Sequence, residues 1–226
     1  MKGLFVSNAY LHGAKFSEPA SMLASAAAGD GIGLVEVTNA DLVFPVGGPR
    51  PGILDDADFV LFWDKDVRCA RNIELCGVRV FNTSSCIAVC DDKSETHLAL
   101  SARGVPSIET LMCPMSFGPY DDLSFLESAA DTLGFPMVVK DCFGSFGQQV
   151  RLAKSMDELR GMFSGAYVPR ILQRYIECGS TDVRVEVVGG EAIIAVRRRG
   201  PEGDFRSNTS IGGRMERYSP DSETLD

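Results

Sequence analysis

Short apolar runs alternate with helix-prone stretches through the first 81 residues of the chain. Four of these runs have the length and the β-branched or aromatic content of buried strands, at 3–6, 34–37, 58–63 and 78–81. Helix-prone stretches at 18–28 and 66–75 lie between them and end near Gly29 and Gly77. Strands that alternate with helices in this way predict a small parallel α/β sheet.

The middle of the chain changes to longer helical stretches and paired strands. We predict helices at 82–90, from Asp91 or Asp92 to Gly104, at 122–133 and at 155–163, the last opened by a capping box at Ser155. Strands are predicted at 107–112, 135–140 and 150–152. The second and third of these strands flank a loop with two glycines, so this segment is predicted to fold as strand, glycine loop, strand.

The last third of the chain is predicted to be mostly strand. A strand is expected at 170–176, and 182–188 alternates apolar and polar residues up to a hairpin turn at Gly189-Gly190. The return strand at 192–196 continues into three arginines, and an irregular polar loop follows at 203–213. The final residues 223–226 read as the start of a helix, so we expect the natural protein to continue past Asp226.

Composition narrows the class of protein. A net charge of −9 argues against a generic nucleic-acid binder, whose affinity depends on neutralising phosphates. The apolar runs are too short for a signal peptide or a membrane span. The chain has seven scattered cysteines without a C-x-x-C spacing and only two histidines, which argues against a zinc site. We predict free thiols in a reducing cytoplasm.

Lys140 is the first candidate for chemistry. It ends an apolar strand, and Gly144 and Gly147 follow it, where backbone N–H groups can approach an anion because no Cβ intervenes. The segment lacks the P-loop spacing, and taken alone it favours a glycine-containing hairpin with a surface lysine, because glycine loops are common turns. Lys93 is the second candidate, since a cation in the first turn of a helix opposes the helix dipole unless an anionic ligand is shared. A solvated lysine is the simpler interpretation of that position.

Taken together, motifs spread over residues 82–213 resemble the ATP-grasp superfamily, and most of all its RimK-like carboxylate–amine ligases of the alpha-L-glutamate ligase type. Residues 1–81 match only as the small α/β domain that precedes the ATP-grasp region in that family. The matching motifs are Asn82, Asp92-Lys93, Gly104-Val105-Pro106, Gly134-Phe135-Pro136 with Val139-Lys140, Gly144-Ser145-x-Gly147, Gln173-x-Tyr175-Ile176, Asp182-Val183-Arg184, Arg198, Gly203-Asp204-Phe205-Arg206-Ser207-Asn208 and Gly212-Gly213.

The resemblance implies an α/β protein with an ATP-grasp fold in three parts. These are an N-terminal parallel α/β domain over 1–87, a central lid domain over 88–172 and an incomplete C-terminal mixed-sheet domain over 173–226. It implies an enzyme that uses ATP and Mg²⁺ to join a small-molecule carboxylate to an amine, an amino acid or a peptide end among them. It implies neither a nucleic-acid nor a membrane partner. Whether the protein forms a homo-oligomer is left open.

Roles implied by the resemblance apply residue by residue. Lys93 and Lys140 contact the ATP phosphates, Lys140 also lies near the adenine, and Gly144, Ser145 and Gly147 form a lid loop. The backbone of Gln173, Arg174, Tyr175 and Ile176 reads the adenine edge, and Asp182 accepts from the ribose hydroxyls. Arg206 faces the phosphates and the acyl phosphate, and Arg198 holds the carboxylate substrate or the γ-phosphate.

Two departures from the family pattern are visible. Arg174 stands where the family usually has an acid, which puts side-chain contacts at that position in doubt. The metal ligands of the family belong to a C-terminal Asp, Glu and Glu-x-Asn set that would lie beyond Asp226. We therefore expect no Mg²⁺ ligands and no ligase turnover from residues 1–226. The alternative to a ligase is a nucleotide-binding ATP-grasp module or fragment without turnover.

Overall fold

The computed structural model describes residues 1–165 and 167–221, and the chain divides into two compact units at Thr96 and His97. The first unit contains one sheet and the second contains two, and each unit has its own apolar core. No helix among the described residues is long and apolar enough to cross a membrane. The predicted helix start at 223–226 lies outside the described residues.

The first unit is built on a four-stranded parallel sheet, which confirms the predicted parallel α/β sheet. Its strand order is β2-β1-β3-β4. The elements are β1 (Lys2–Ser7), α1 (Ala14–Gly29), β2 (Gly33–Thr38), β3 (Phe59–Phe62), α2 (Val67–Leu75), β4 (Arg79–Phe81) and α3 (Ser84–Asp91). Buried Leu4, Val6, Val60 and Ile73 lie in its core.

Helix α1 starts earlier than the sequence predicts. The first turn closes onto the carbonyl of Gly13, which accepts from the N–H of Phe16 at 2.9 Å, so Pro19 lies inside the helix. Proline has no N–H to donate to the carbonyl four residues earlier, and α1 continues through this one missing bond. Helix α4 (Lys93–Ala102) contains the boundary between the two units.

The second unit contains an antiparallel sheet with order β5-β8-β6-β7. The elements are β5 (Thr110–Met112), α5 (Phe125–Leu133), β6 (Met137–Asp141), β7 (Val150–Ala153), α6 (Met156–Phe163) and β8 (Arg170–Arg174). Helices α5 and α6 pack on one face of this sheet, around Leu126, Val139, Leu159, Phe163 and Leu172. The Ser155 half of the predicted capping box of α6 is confirmed, because its side chain accepts from the N–H of Glu158, whereas the Glu158 carboxylate accepts from the N–H of Lys154 and not from that of Ser155.

Strand β8 ends at Arg174, two residues before the sequence prediction of 170–176. Arg174 pairs with Met137, and the preceding residue on that partner strand is Pro136, which has no N–H to continue the ladder. Tyr175 and Ile176 therefore follow the strand as irregular chain.

A second antiparallel sheet of this unit has the order β11-β10-β9. It consists of β9 (Thr181–Val188), β10 (Glu191–Arg199) and β11 (Arg214–Arg217), with the predicted turn at Gly189 and Gly190, whose φ values are 63° and 88°. Only Ala195 of its side chains is buried among the described residues, while Val187 and Ile193 are 60% and 61% exposed.

Candidate functional site

Lys140 and Gln173 lie on one face of the β5-β8-β6-β7 sheet. Side chains alternate across a strand, so Lys140 points away from the helix-packed face that its neighbour Val139 joins. The Lys140 ammonium donates to Oε1 of Gln173 at 2.5 Å, and Gln173 is only 4% exposed. The sheet thus brings together two residues that the sequence assigned to the same site from positions 33 apart.

Two further side chains complete this cluster and were missed by the sequence analysis. Nε2 of Gln173 donates to the Thr110 hydroxyl at 2.8 Å and lies 3.2 Å from Nε2 of His97. Burial and the nearby Lys140 charge, in that order, lower the pKa of His97 below its ordinary value. Thr110 could have been found from strand register, since it pairs directly with Gln173, whereas His97 is brought there by the path of α4.

The glycine loop has the unusual backbone that its composition predicts. Gly144 and Gly147 have φ values of 131° and 76°, and Phe146 between them has a φ of 61°. A Cβ on Gly147 would come within 2.7 Å of Oδ1 of Asn208, so this position needs glycine for space as well as for conformation. Ser145 lies in the same turn, where its carbonyl accepts from Gln148.

Arg206 connects the glycine loop to the polar loop after β10. Its guanidinium donates to both oxygens of Asp204, at 3.0 and 2.7 Å, and to the Gly147 carbonyl at 2.8 Å. The hydrogen bond from Arg206 is the main cause that lowers the pKa of Asp204. A guanidinium carries five N–H groups, so Arg206 can make these bonds and still donate to an anion.

Asp182 and Arg198 form the second ion pair of the site. They face each other directly across β9 and β10, and Nε and Nη2 of Arg198 donate to the two carboxylate oxygens at 2.7 and 2.6 Å. The Ser207 hydroxyl adds a bond to Asp182 at 2.5 Å. Burial opposes the charge of Asp182, but the bonds from Arg198 and Ser207 outweigh it, and the pKa of Asp182 is lowered.

The Arg174 side chain lies away from the Lys140 cluster. Its guanidinium donates to Glu109 and to the carbonyls of Thr132 and Leu133 at the end of α5. It therefore satisfies helix carbonyls that have no partner within the helix. The side chain that departs from the family pattern has a structural use here, and the backbone N–H of Arg174 already donates to the Glu109 carbonyl at 3.0 Å.

Tyr175 and Ile176 follow Arg174 on the same segment. The Tyr175 hydroxyl donates to Glu177 at 2.8 Å, and the Ile176 side chain is 49% exposed. Within the described part of the chain, no hydrogen bond joins the backbone of either residue to another backbone group. Lys93 belongs to the first unit, where it opens α4. Its phosphate contact stays a prediction.

A cavity of about 690 Å³ lies on the other face of the β9–β11 sheet. Arg197, Arg199, Arg214 and Glu216 line it, and strand alternation places them opposite Asp182 and Arg198. Across residues 1–165 and 167–221 there is no group of three or more His, Cys, Asp or Glu side chains that could hold a metal ion. All seven cysteines are free thiols, as predicted.

Curated proteins with known names are similar to this chain in sequence. N-acetylaspartylglutamate synthase A of Homo sapiens is 35% identical over 153 residues, which is 66% of this chain and 38% of that protein. A probable alpha-L-glutamate ligase of Stenotrophomonas maltophilia (strain K279a) is 34% identical over 147 residues, 63% of this chain and 48% of that protein. The chain thus spans about half the length, or less, of these curated relatives.

Solved structures give the same fold. The crystal structure of D-alanine–D-alanine ligase from Bacillus anthracis superposes with a TM-score of 0.70 at 18% identity, over 99% of this chain and 73% of that one. The sequence model of the RimK-like ATP-grasp domain matches residues 90–225. The mixed α/β fold and this match confirm the resemblance seen in the motifs, and the chain belongs to the RimK-like ATP-grasp family.

Proposed function

We propose that this chain is the nucleotide-binding part of an ATP-dependent, ADP-forming ligase that joins a carboxylate to an amine. Membership of the family supports the ligase class, and the names of its relatives support amino-acid substrates such as glutamate. The observation that carries the proposal is the Lys140–Gln173 pair, a cation held on a buried amide at the open face of a packed sheet.

The proposed roles follow the positions of the side chains. Lys140 and Arg206 bind the phosphates, together with the backbone of Gly144, Ser145 and Gly147. The segment from Gln173 to Ile176 reads the adenine with its backbone, in agreement with backbone groups that are unpaired at Tyr175 and Ile176 within the described chain. ATP would supply the γ-phosphoryl group that turns a carboxylate into an acyl phosphate, which the amine then attacks with release of phosphate.

The Asp182–Arg198 pair limits how the ribose and carboxylate roles can be filled. One oxygen of Asp182 accepts one bond from Arg198, and the other accepts from Arg198 and Ser207. A carboxylate oxygen has two acceptor sites, so Oδ1 can still accept from a ribose hydroxyl. Arg198 has N–H groups beyond the two used for Asp182 and can still donate to a substrate carboxylate.

Among the described residues no group of three or more His, Cys, Asp or Glu side chains could hold a metal ion, so no Mg²⁺ ligand is assigned. The steps assigned to this chain are binding, orientation and the exclusion of water by the glycine loop. Four further points stay predictions: the three-domain division at 87 and 172, the cytoplasmic location, the identity of the two substrates, and the absence of turnover from residues 1–226.

The experiment is a calorimetric titration of the chain with ADP and with a non-hydrolysable ATP analogue. Lys140→Met should weaken nucleotide binding by about tenfold or more, because it removes a charge-assisted contact to phosphate. Lys154→Met is the matched control, since Lys154 is an exposed lysine on the same unit. Equal affinity of Lys140→Met and the parent chain would remove Lys140 from the site and contradict the proposal.

A further inference from the structure

The hydrogen bonds around Gln173 run in one direction only, because each donor and acceptor in the cluster is fixed by its neighbour. A lysine ammonium can only donate, so the group of Gln173 that faces Lys140 must be its carbonyl oxygen, Oε1. The amide nitrogen of Gln173 then faces Thr110 and His97 with its two N–H groups.

The Thr110 side of the cluster is fixed in the same way. Its hydroxyl donates to the carbonyl of Ile108 at 2.7 Å, so its oxygen is the acceptor for the first Gln173 N–H. The second Gln173 N–H points to Nε2 of His97 at 3.2 Å. Two donors at that distance would repel, so Nε2 of His97 must carry a lone pair.

We infer that His97 is a positioning residue of the nucleotide site: neutral, with its proton on Nδ1, it fixes the Gln173 amide so that the carbonyl oxygen holds Lys140. The functional consequence of this inference rests on the proposed nucleotide site, whereas the ring state does not. If His97 gained a proton on Nε2, Gln173 would have to turn its amide nitrogen toward Lys140, and Lys140 would lose this acceptor.

Two observations support the neutral ring. Nδ1 of His97 is buried and has no hydrogen-bond partner among the described residues, and Nε2 faces a donor, so a charged ring with two N–H groups would find no acceptor for either of them here. Burial and the Lys140 charge on β6 both lower the pKa of His97. The other two members of the cluster, Gln173 on β8 and Thr110 on β5, do not titrate.

The first test is nitrogen NMR of the imidazole rings at pH 8 in the ligand-free protein. We expect His97 to show a fixed Nδ1–H tautomer, while the exposed His12 gives the averaged signals of an unrestrained ring in the same sample. Gln173→Met should abolish the preference at His97. Averaged signals for His97 in the parent chain, or an Nε2–H tautomer, would overturn the inference.

The second test compares two substitutions of His97 by their affinity for ADP at pH 8. His97→Gln places an oxygen the same number of bonds from Cα as Nε2, so it restores an acceptor for Gln173 and should keep the affinity within about twofold. His97→Leu offers no acceptor and should weaken binding about fivefold, the loss expected for one neutral hydrogen bond.

The outcomes of the two tests separate the two proposals. Equal affinity of His97→Gln and His97→Leu overturns the positioning role even if both bind nucleotide. Failure of the parent chain to bind any nucleotide refutes the proposed function instead, and the NMR experiment still decides the state of His97. Should His97→Leu fail to fold, the NMR signals of the parent and of Gln173→Met test the same hydrogen-bond direction.

Discussion

The two antiparallel sheets of the second unit hold their candidate site residues by different means. In the β5-β8-β6-β7 sheet, Lys140 and Gln173 stand on strands whose other face is packed with apolar side chains, and Val139 and Leu172 on that face are at most 1% exposed. In the β9–β11 sheet almost every side chain has some exposure, and the site residues Asp182 and Arg198 hold each other.

The difference indicates two ways of preparing a site for a charged ligand. The packed sheet places the Lys140 ammonium against a neutral amide whose orientation is set by further hydrogen bonds. The open sheet fixes its arginines through carboxylates, which an anionic ligand can compete with. We expect the first sheet to respond strongly to loss of packing and the second to loss of charge.

The largest expected effect comes from removing a buried apolar side chain from the β5-β8-β6-β7 sheet. Leu172→Ala removes a side chain that is 1% exposed on the helix-packed face of β8 and should lower the free energy of unfolding by about 2–5 kcal/mol. Ile193→Ala is the matched change on β10, where the side chain is 61% exposed, and should cost less than about 1 kcal/mol. Urea unfolding of both variants measures the contrast, and similar losses would show that the β9–β11 sheet has a core of its own.

The second prediction concerns the Asp182–Arg198 ion pair of the β9–β11 sheet. Arg198→Met leaves the Asp182 carboxylate with Ser207 as its remaining side-chain partner and should destabilise the protein by about 1–3 kcal/mol, the range for hydrogen bonds to charged groups. Asp182→Asn alone should cost a similar amount. The double variant should lose less than the sum, because once one partner is gone the other has no pair to lose. Simple additivity in this cycle would mean that the two side chains stabilise the sheet independently.

The sequence predicted the strands and helices well but only part of the site. Alternation and glycine turns located β9, β10 and their hairpin, and the apolar runs located β6 and β8, because these patterns are local. The end of β8 was placed two residues late, since it depends on Pro136 of a partner strand. The partners of Lys140 and Arg198 depend on register and on which face a side chain joins, which no single segment reveals.

His97 illustrates the limit most clearly. Nothing in its immediate sequence distinguishes it from a solvated histidine. It contacts Gln173 only because the fold brings α4 next to β8, although the two residues are 76 positions apart in the sequence. The departure at Arg174 was visible in the sequence, but its use at the end of α5 was not, because the carbonyls of Thr132 and Leu133 belong to a distant helix end.

The third prediction separates the two sheets by pH. The pKa of His97 is lowered from its ordinary 6.5, so below that pH the unfolded chain binds more protons than the folded one and stability falls as the solution becomes acidic. His97→Gln should remove this loss between about pH 7 and 5. The pKa of Asp182 is lowered from 3.8, so its contribution is present above that pH and is lost as pH falls below about 4.

Thermal unfolding of the parent, His97→Gln and Asp182→Asn across this pH range measures both windows. Between about pH 7 and 5, only His97→Gln should differ from the parent in how steeply the unfolding temperature changes with pH. Below about pH 4, only Asp182→Asn should differ in this way. A His97→Gln curve parallel to that of the parent between pH 7 and 5 would contradict the neutral imidazole in the packed sheet.

The smallest expected effect tests whether burial, and not charge pairing as such, makes the Asp182–Arg198 pair matter. Arg184 and Glu186 also form an ion pair on β9, at 2.5 Å, but their side chains are 55% and 47% exposed, against 18% for Arg198. Water screens an exposed pair and the side chains lose entropy in forming it, so Arg184→Gln should change the free energy of unfolding by less than about 0.5 kcal/mol. Urea unfolding at low and at high salt measures this, with Arg198→Met as the reference on the same sheet. If Arg184→Gln costs as much as Arg198→Met, the open sheet depends on its total charge pattern, and the Asp182–Arg198 pair has no special place in it.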